Sequence, residues 1–210
     1  MKITDPAIEV FILIGALSFI PSILVMFTSF TRIVVVMSIL RQALGSPNLP
    51  PNSVIIGISL FLTFYIMSPT IDKVTAEAIM PYFKKELAID EALKRAEPDI
   101  KAFMLRQTRE KDLALFVKLS KEKVPSRPED LPIRVVVPAF VISELSTAFK
   151  IGFLIYLPFL VIDMIVSSIL LSMGMMMLPP VLVSMPFKLL LFVMVDGWNL
   201  IAASIVRSFQ

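Results

Sequence analysis

The chain has 210 residues, 57% of them apolar, with a mean hydropathy of +0.85, which is too apolar for an ordinary soluble domain and points to a membrane protein. Its net charge is only +3, with basic and acidic residues interleaved, so no phosphate-neutralising surface for nucleic acid is indicated. Cysteine and histidine are both absent, which excludes disulfides, thiolate and imidazole nucleophiles, Ser-His-Asp triads and histidine-based metal sites.

Of the 37 charges, 26 fall between Asp72 and Arg134, and this asymmetry divides the chain into a first apolar part (1–71), a polar insert (72–134) and a second apolar part (135–210). The first apolar stretch runs from about Ala7 to Leu44 and is longer than a hydrocarbon core requires, so it must tilt, kink or leave the bilayer. Its start has Lys2 and an apolar run but no small-x-small cleavage site, and is expected to be a retained helix. Gly45 to Asn52 holds three prolines and predicts a turn. Val54 to Met67 is apolar but marginal in length for a span, and should pair with the first stretch.

In the insert, Ile100, Phe103 and Met104, then Leu113, Phe116 and Val117, recur at three-and-four spacing among charged residues, which predicts wet amphipathic helices. Val124 to Pro132 reads as an extended linker. From Val135 to Met173 the only charges are Glu144, Lys150 and Asp163, and a break is expected near Gly152 or Pro158. Gly174 to Pro180 interrupts the pattern again, and Val181 to Val206 is the last apolar stretch. The expected fold class is all-α: membrane-associated broken helical hairpins flanking a polar helical insert.

Within the apolar parts, Arg32, Arg41, Lys150 and Lys188 face Glu9, Glu144, Asp163 and Asp196, four of each sign. Charges in lipid are costly, so these groups are expected to be buried and to pair or to line water. Two functions fit: structural ion pairing, or a proton or ion relay in which Asp163 is the candidate carboxylate. Met173, Met175, Met176 and Met177 cluster at a turn rather than on a helical stripe; they can be packing residues or an adaptable seal around an opening. Phe103 and Phe116 can pack within the insert or dock a neighbouring subunit, the second being favoured. No Gly-rich phosphate loop is present, and no enzyme constellation, cofactor site or metal site is indicated.

Several strings resemble the FliP family, the membrane core of the flagellar type III protein export gate. They include Thr28 to Ile33, Leu40 to Gly45, Leu62 to Pro69, Phe103 to Glu110, Pro138 to Leu145, Ala148 to Phe153, Pro158 to Asp163, Gly174 to Met177 and Val195 to Trp198. The resemblance runs in order from about residue 8 to the end. Some members of the family carry a cleaved signal peptide, and this chain starts almost at its first apolar helix, as a mature or signal-less form would.

The resemblance implies five copies assembled with FliQ and FliR in a helical ring around a channel. That ring would sit in the bacterial inner membrane at the flagellar basal body, with the insert on the periplasmic side. It implies FlhA and FlhB as further partners and unfolded flagellar subunits as cargo. Met175, Met176 and Met177, with Met173 beside them, are then similar to a channel gasket, Glu144 and Lys188 to a gate or intersubunit charge pair, and Phe103 and Phe116 to assembly residues. A virulence secretion gate shares this architecture. A secondary transporter, motivated by Asp163 and Asp196, and a non-channel assembly scaffold are the rival functions.

Overall fold

Polar side chains decide where the first apolar stretch breaks. In the computed structural model, which describes residue 15 and residues 18–120 and 127–210, helix α1 (Ile20–Phe27) is followed by α2 (Phe30–Ala43). The two meet at 89°. Thr28 is extended at the break, and its hydroxyl donates back to the Leu24 carbonyl while accepting from the Phe30 amide at 3.2 Å. Thr31 donates to the Val25 carbonyl at 2.6 Å, so hydroxyls replace bonds that the bend removes. The kink is therefore at Thr28; Pro21 sits in the first turn of α1, where its missing amide costs nothing. The retained helix expected at the chain start, and Glu9 with it, lie outside the described residues.

Helix α2 stops where Gly45 takes a left-handed conformation (φ +77°), as the sequence predicts. The next helix departs from expectation. It begins as α3 (Asn52–Val74), passes through a π-helical turn at Thr75–Ile79 and ends with Met80–Phe83. The resulting rod has 32 residues, long and apolar enough to cross a membrane rather than marginal. Pro69 is carried inside it, and the widened turn just before Pro81 makes room for a ring that would otherwise strike the preceding turn. The division at residue 71 thus falls within a continuous helix.

The insert contributes α4 (Ile89–Gln107), α5 (Glu110–Ser120) and a 3₁₀ turn at Pro128–Asp130. These pack on the N-terminal part of α6 (Ile133–Ser172): Phe103, Met104 and Leu131 join Met67, Val135, Val136 and Phe140 in one buried cluster. Short insert helices could not bury Phe103 alone; the long apolar helix supplies the other wall.

Helix α6 has 40 residues and is continuous, so the break expected near Gly152 or Pro158 does not occur. Each internal proline removes one hydrogen bond, while the apolar turns around it keep theirs. Gly152 serves close approach instead. A Cβ there would lie 2.4 Å from Ile39 Cδ1 and 3.0 Å from Ile39 Cβ, so the missing side chain lets α2 cross directly against α6. At about 60 Å, α6 is roughly twice the hydrocarbon thickness, so part of it stands outside the core or tilts steeply.

A Schellman turn reverses the chain after α6: the Met175 amide bonds to Leu170 O and the Gly174 amide to Leu171 O, with Gly174 at φ +74°. Pro180 then opens α7 (Pro180–Met194), and α8 (Gly197–Arg207) follows at 68°. Asp196 holds the left-handed conformation at this second bend, and the Phe192 ring covers Gly197 so closely that a Cβ would lie 2.3 Å from it. The described residues are helical throughout apart from turns. Among the described residues two helices are long and apolar enough to span a bilayer, or up to four if each bent pair counts as one span.

Candidate functional site

Among the described residues the buried charges gather in three places, and the densest is built on Arg32. Arg32 is 2% exposed and Glu144 is 0% exposed, one on α2 and the other on α6. Arg32 Nε donates to Glu144 Oε2 at 2.9 Å, and Nη2 donates to Glu144 Oε1. Nη2 also reaches Gln107 Oε1 at 3.2 Å, while Nη1 donates to the carbonyl and hydroxyl of Ser208 at 2.7 and 3.0 Å. A guanidinium has five N–H donors in a planar fork, and this arrangement occupies all five. The Phe209 ring lies 3.7 Å below Cζ, and Gln107 Nε2 bonds to the Phe209 carbonyl. One side chain therefore ties together α2, the end of α4, α6 and the residues after α8.

Beside it, the junction of α4 and α5 is fastened to the same turn of α6. The Arg109 amide donates to Ser143 Oγ at 3.0 Å, and Ser143 Oγ donates to Asp112 Oδ2 at 2.6 Å. Arg109 also grips Asp112 through Nε and Nη2 at 2.7 and 2.6 Å, and reaches Ser146 Oγ with Nη1. Burial pushes the Asp112 carboxyl upward, but the hydrogen bonds from Ser143 and Arg109, with the charges of Arg109 and Lys111, outweigh it and hold the group below its ordinary value.

The third cluster joins α6 to α7. Lys188, 1% exposed, donates to Asp163 Oδ2 at 2.7 Å, and Ser184, one helical turn earlier, donates to Asp163 Oδ1. Gly45 lies over the ammonium group: a Cβ there would be 3.6 Å from Nζ and 3.1 Å from Val181 Cγ1.

The pair expected between Glu144 and Lys188 is thus corrected. In this chain Glu144 binds Arg32 and Lys188 binds Asp163. The reason is placement along α6: the two acids lie about 28 Å apart on that helix, and each meets the cation whose helix crosses at its level. Burial holds for Arg32, and Asp163 is largely covered, but Lys150 and Asp196, expected to be buried, are exposed on outer faces. Phe103, expected at an assembly interface, lies inside the chain's own core, edge-on to Phe140 at 6.0 Å and stacked on Phe209 at 6.5 Å. Phe116 is half-buried and packs at the rim of the same cluster.

The methionines sit at the tip of the hairpin formed by α6 and α7. The Schellman turn carries Met175, Met176 and Met177 outward from the tip, with Met176 79% and Met177 97% exposed, and Met173 exposed at the helix end. Sequence reasoning placed these correctly at a turn but missed Gln107, Arg109, Asp112, Ser143, Ser184, Ser208 and Phe209. The i,i+4 spacing of Ser184 and Lys188 and the i,i+3 spacing of Arg109 and Asp112 were visible signals. Nothing local marked Ser208 and Phe209.

The FliP family profile matches residues 13–205. The flagellar biosynthetic protein FliP of Aquifex aeolicus (strain VF5) is 54% identical over 206 residues, covering 97% of this chain and 86% of that protein. The protein of the same name from Bacillus subtilis (strain 168) is 52% identical over 202 residues, 96% of this chain and 91% of its own length. That of Pectobacterium carotovorum subsp. carotovorum is 50% identical over 203 residues, 97% of this chain and 79% of its own length.

Proposed function

Since this chain belongs to the FliP family, we propose that it is a core subunit of the flagellar protein export gate, lining a gated conduit for unfolded flagellar subunits. It is a membrane protein of the flagellar export apparatus, with a transport role rather than a catalytic one. In the finer reading, several copies, five by family resemblance, assemble with FliQ and FliR in the bacterial inner membrane, with the insert toward the periplasm. FlhA and FlhB supply the coupling to energy.

The observation that carries this reading is the exposed methionine tip. Three consecutive unbranched apolar side chains lie at a hydrogen-bonded reversal, with Met176 and Met177 largely exposed and Met175 partly so. Brought together from several copies, flexible thioether side chains can close a pore and yield to cargo of irregular shape. Asp163–Lys188 pins α6 to α7 behind the tip.

The test is a leak assay on the assembled complex in liposomes. Replacing Met175, Met176 and Met177 together by alanine should raise ion permeability while leaving assembly intact. A scaffold predicts unchanged sealing. A secondary transporter predicts solute uptake by this chain alone, which the gate excludes.

A further inference from the structure

Among the described charges from α6 to α8, Lys150, Asp196 and Arg207 have no ionic or hydrogen-bonding side-chain partner, and the first two, opposite in sign, are the ones set among apolar residues. Lys150 projects from the outer face of α6, on the side away from Ala148 and Gly152, and is surrounded by exposed Phe149, Phe153 and Leu154. Asp196 stands at the bend between α7 and α8 among exposed Val193, Met194, Val195 and Leu200. Each is a single charge set in an apolar surface, a placement that calls for a counter-charge as well as an apolar cover.

Ala148, two positions before Lys150, belongs to the same core cluster as Phe192 and Ile201, which bracket Asp196, and Ile151 packs against that cluster. The cations nearest to hand inside the chain are otherwise engaged or distant. Lys188 and Arg32 are held by Asp163 and Glu144, and Arg207, about 16 Å further along α8, lines the same surface hollow as Asp196 without forming an ion pair with it.

We propose that Lys150 of one copy pairs with Asp196 of the next copy, so that the outer face of α6 docks on the α7–α8 bend of its neighbour. Because the two halves come from different surfaces, the contact is head-to-tail and repeats from copy to copy around the channel. The charge pair sets register, while Phe153 and Leu154 against Met194 and Leu200 supply the apolar cover. This rests on the self-assembly proposed above and names the residues that make it.

The sequence contains no cysteine, so introduced thiols are the only ones in this chain. Chains carrying Lys150→Cys and chains carrying Asp196→Cys are co-expressed with the flagellar membrane partners. They are then treated with a reducible bis-thiol cross-linker whose span matches a Lys–Asp pair. The expected result is a dimer containing one chain of each kind, and for the double variant a ladder extending beyond the dimer, both collapsed by reductant. Native mass spectrometry of untreated samples gives the number of copies. Oligomers without cross-links would overturn the pairing and leave the assembly standing, whereas a chain that stays monomeric would overturn both. A ladder that stops at the dimer, or links to a different protein, would also refute the head-to-tail contact. In parallel, Asp196→Asn, which keeps the side chain's tolerance for left-handed backbone, should shift the population toward smaller oligomers, and full retention of the oligomer would count against the pair.

Discussion

Replacing Arg32 by methionine removes the cation while keeping an unbranched apolar side chain, and leaves Glu144, 0% exposed, with no counter-charge. Breaking one side of a buried pair costs about 3–5 kcal/mol. The bonds to Ser208 and Gln107 and the contact with Phe209 act through the same guanidinium, so their contributions overlap with this figure rather than adding to it. For a chain of this size about 1 kcal/mol moves the midpoint by roughly 2–4 °C, so Arg32→Met should lower it by about 6–20 °C.

The readout is heat unfolding in detergent followed by the fluorescence of Trp198, the only tryptophan, whose ring packs edge-on against Phe192 at 5.2 Å. Adding Glu144→Leu to Arg32→Met should recover much of the loss, because no buried charge is then left alone. Exchanging the residues of Arg32 and Glu144 should restore more than exchanging those of Lys188 and Glu144. A drop under about 3 °C for Arg32→Met, or better rescue by the Lys188 exchange, would refute the assignment of Glu144 to Arg32.

Asp112 gives a pH signature. Its carboxyl is held below its ordinary value when folded, so its contribution is present above the unfolded value of about 4 and is lost as pH falls through the folded value. Amide exchange across Arg109 to Ser120 should therefore quicken in acid below about pH 4, and Asp112→Asn should quicken it at neutral pH and flatten the dependence. Gly152→Ala forces α6 away from Ile39 and should cost about 1–3 kcal/mol by the same thermal assay, with Ile39→Val relieving part of it. Phe209→Ala removes a ring shared by both core clusters and should cost about 2 kcal/mol; no change would mean the end of the described chain is not a structural element.

The all-helical class, the polar insert and the turns at Gly45 and Gly174 were legible because each has a local cause: apolar period, charge density, or a glycine that can take positive φ. The breaks were harder. Pro158 and Gly152 look like interruptions in the string, yet one is absorbed by strong neighbouring turns and the other exists because Ile39, far away in sequence, packs onto it. The kink at Thr28 depends on hydroxyls that satisfy carbonyls of the preceding turn, which composition does not reveal. Among site residues, the four acids and four bases were findable by their rarity, but their pairing was not, since a partner is set by which helices cross at which height. Family resemblance suggested Glu144 with Lys188; the crossing of α2 over α6 puts Arg32 there first.

The Arg32 cluster joins positions far apart in the order of synthesis. Ser208 lies 176 positions downstream of Arg32, and the carbonyl and hydroxyl it offers occupy both N–H groups of Nη1. While the chain is being made, an already inserted α2 carries a cation whose acid, Glu144, and whose final acceptors have not yet left the ribosome. A chain that lacked Ser208 would keep the bonds from Arg32 to Glu144 and Gln107 and lose only the two from Nη1, so the last three residues of the chain complete the cluster that the first described helices begin.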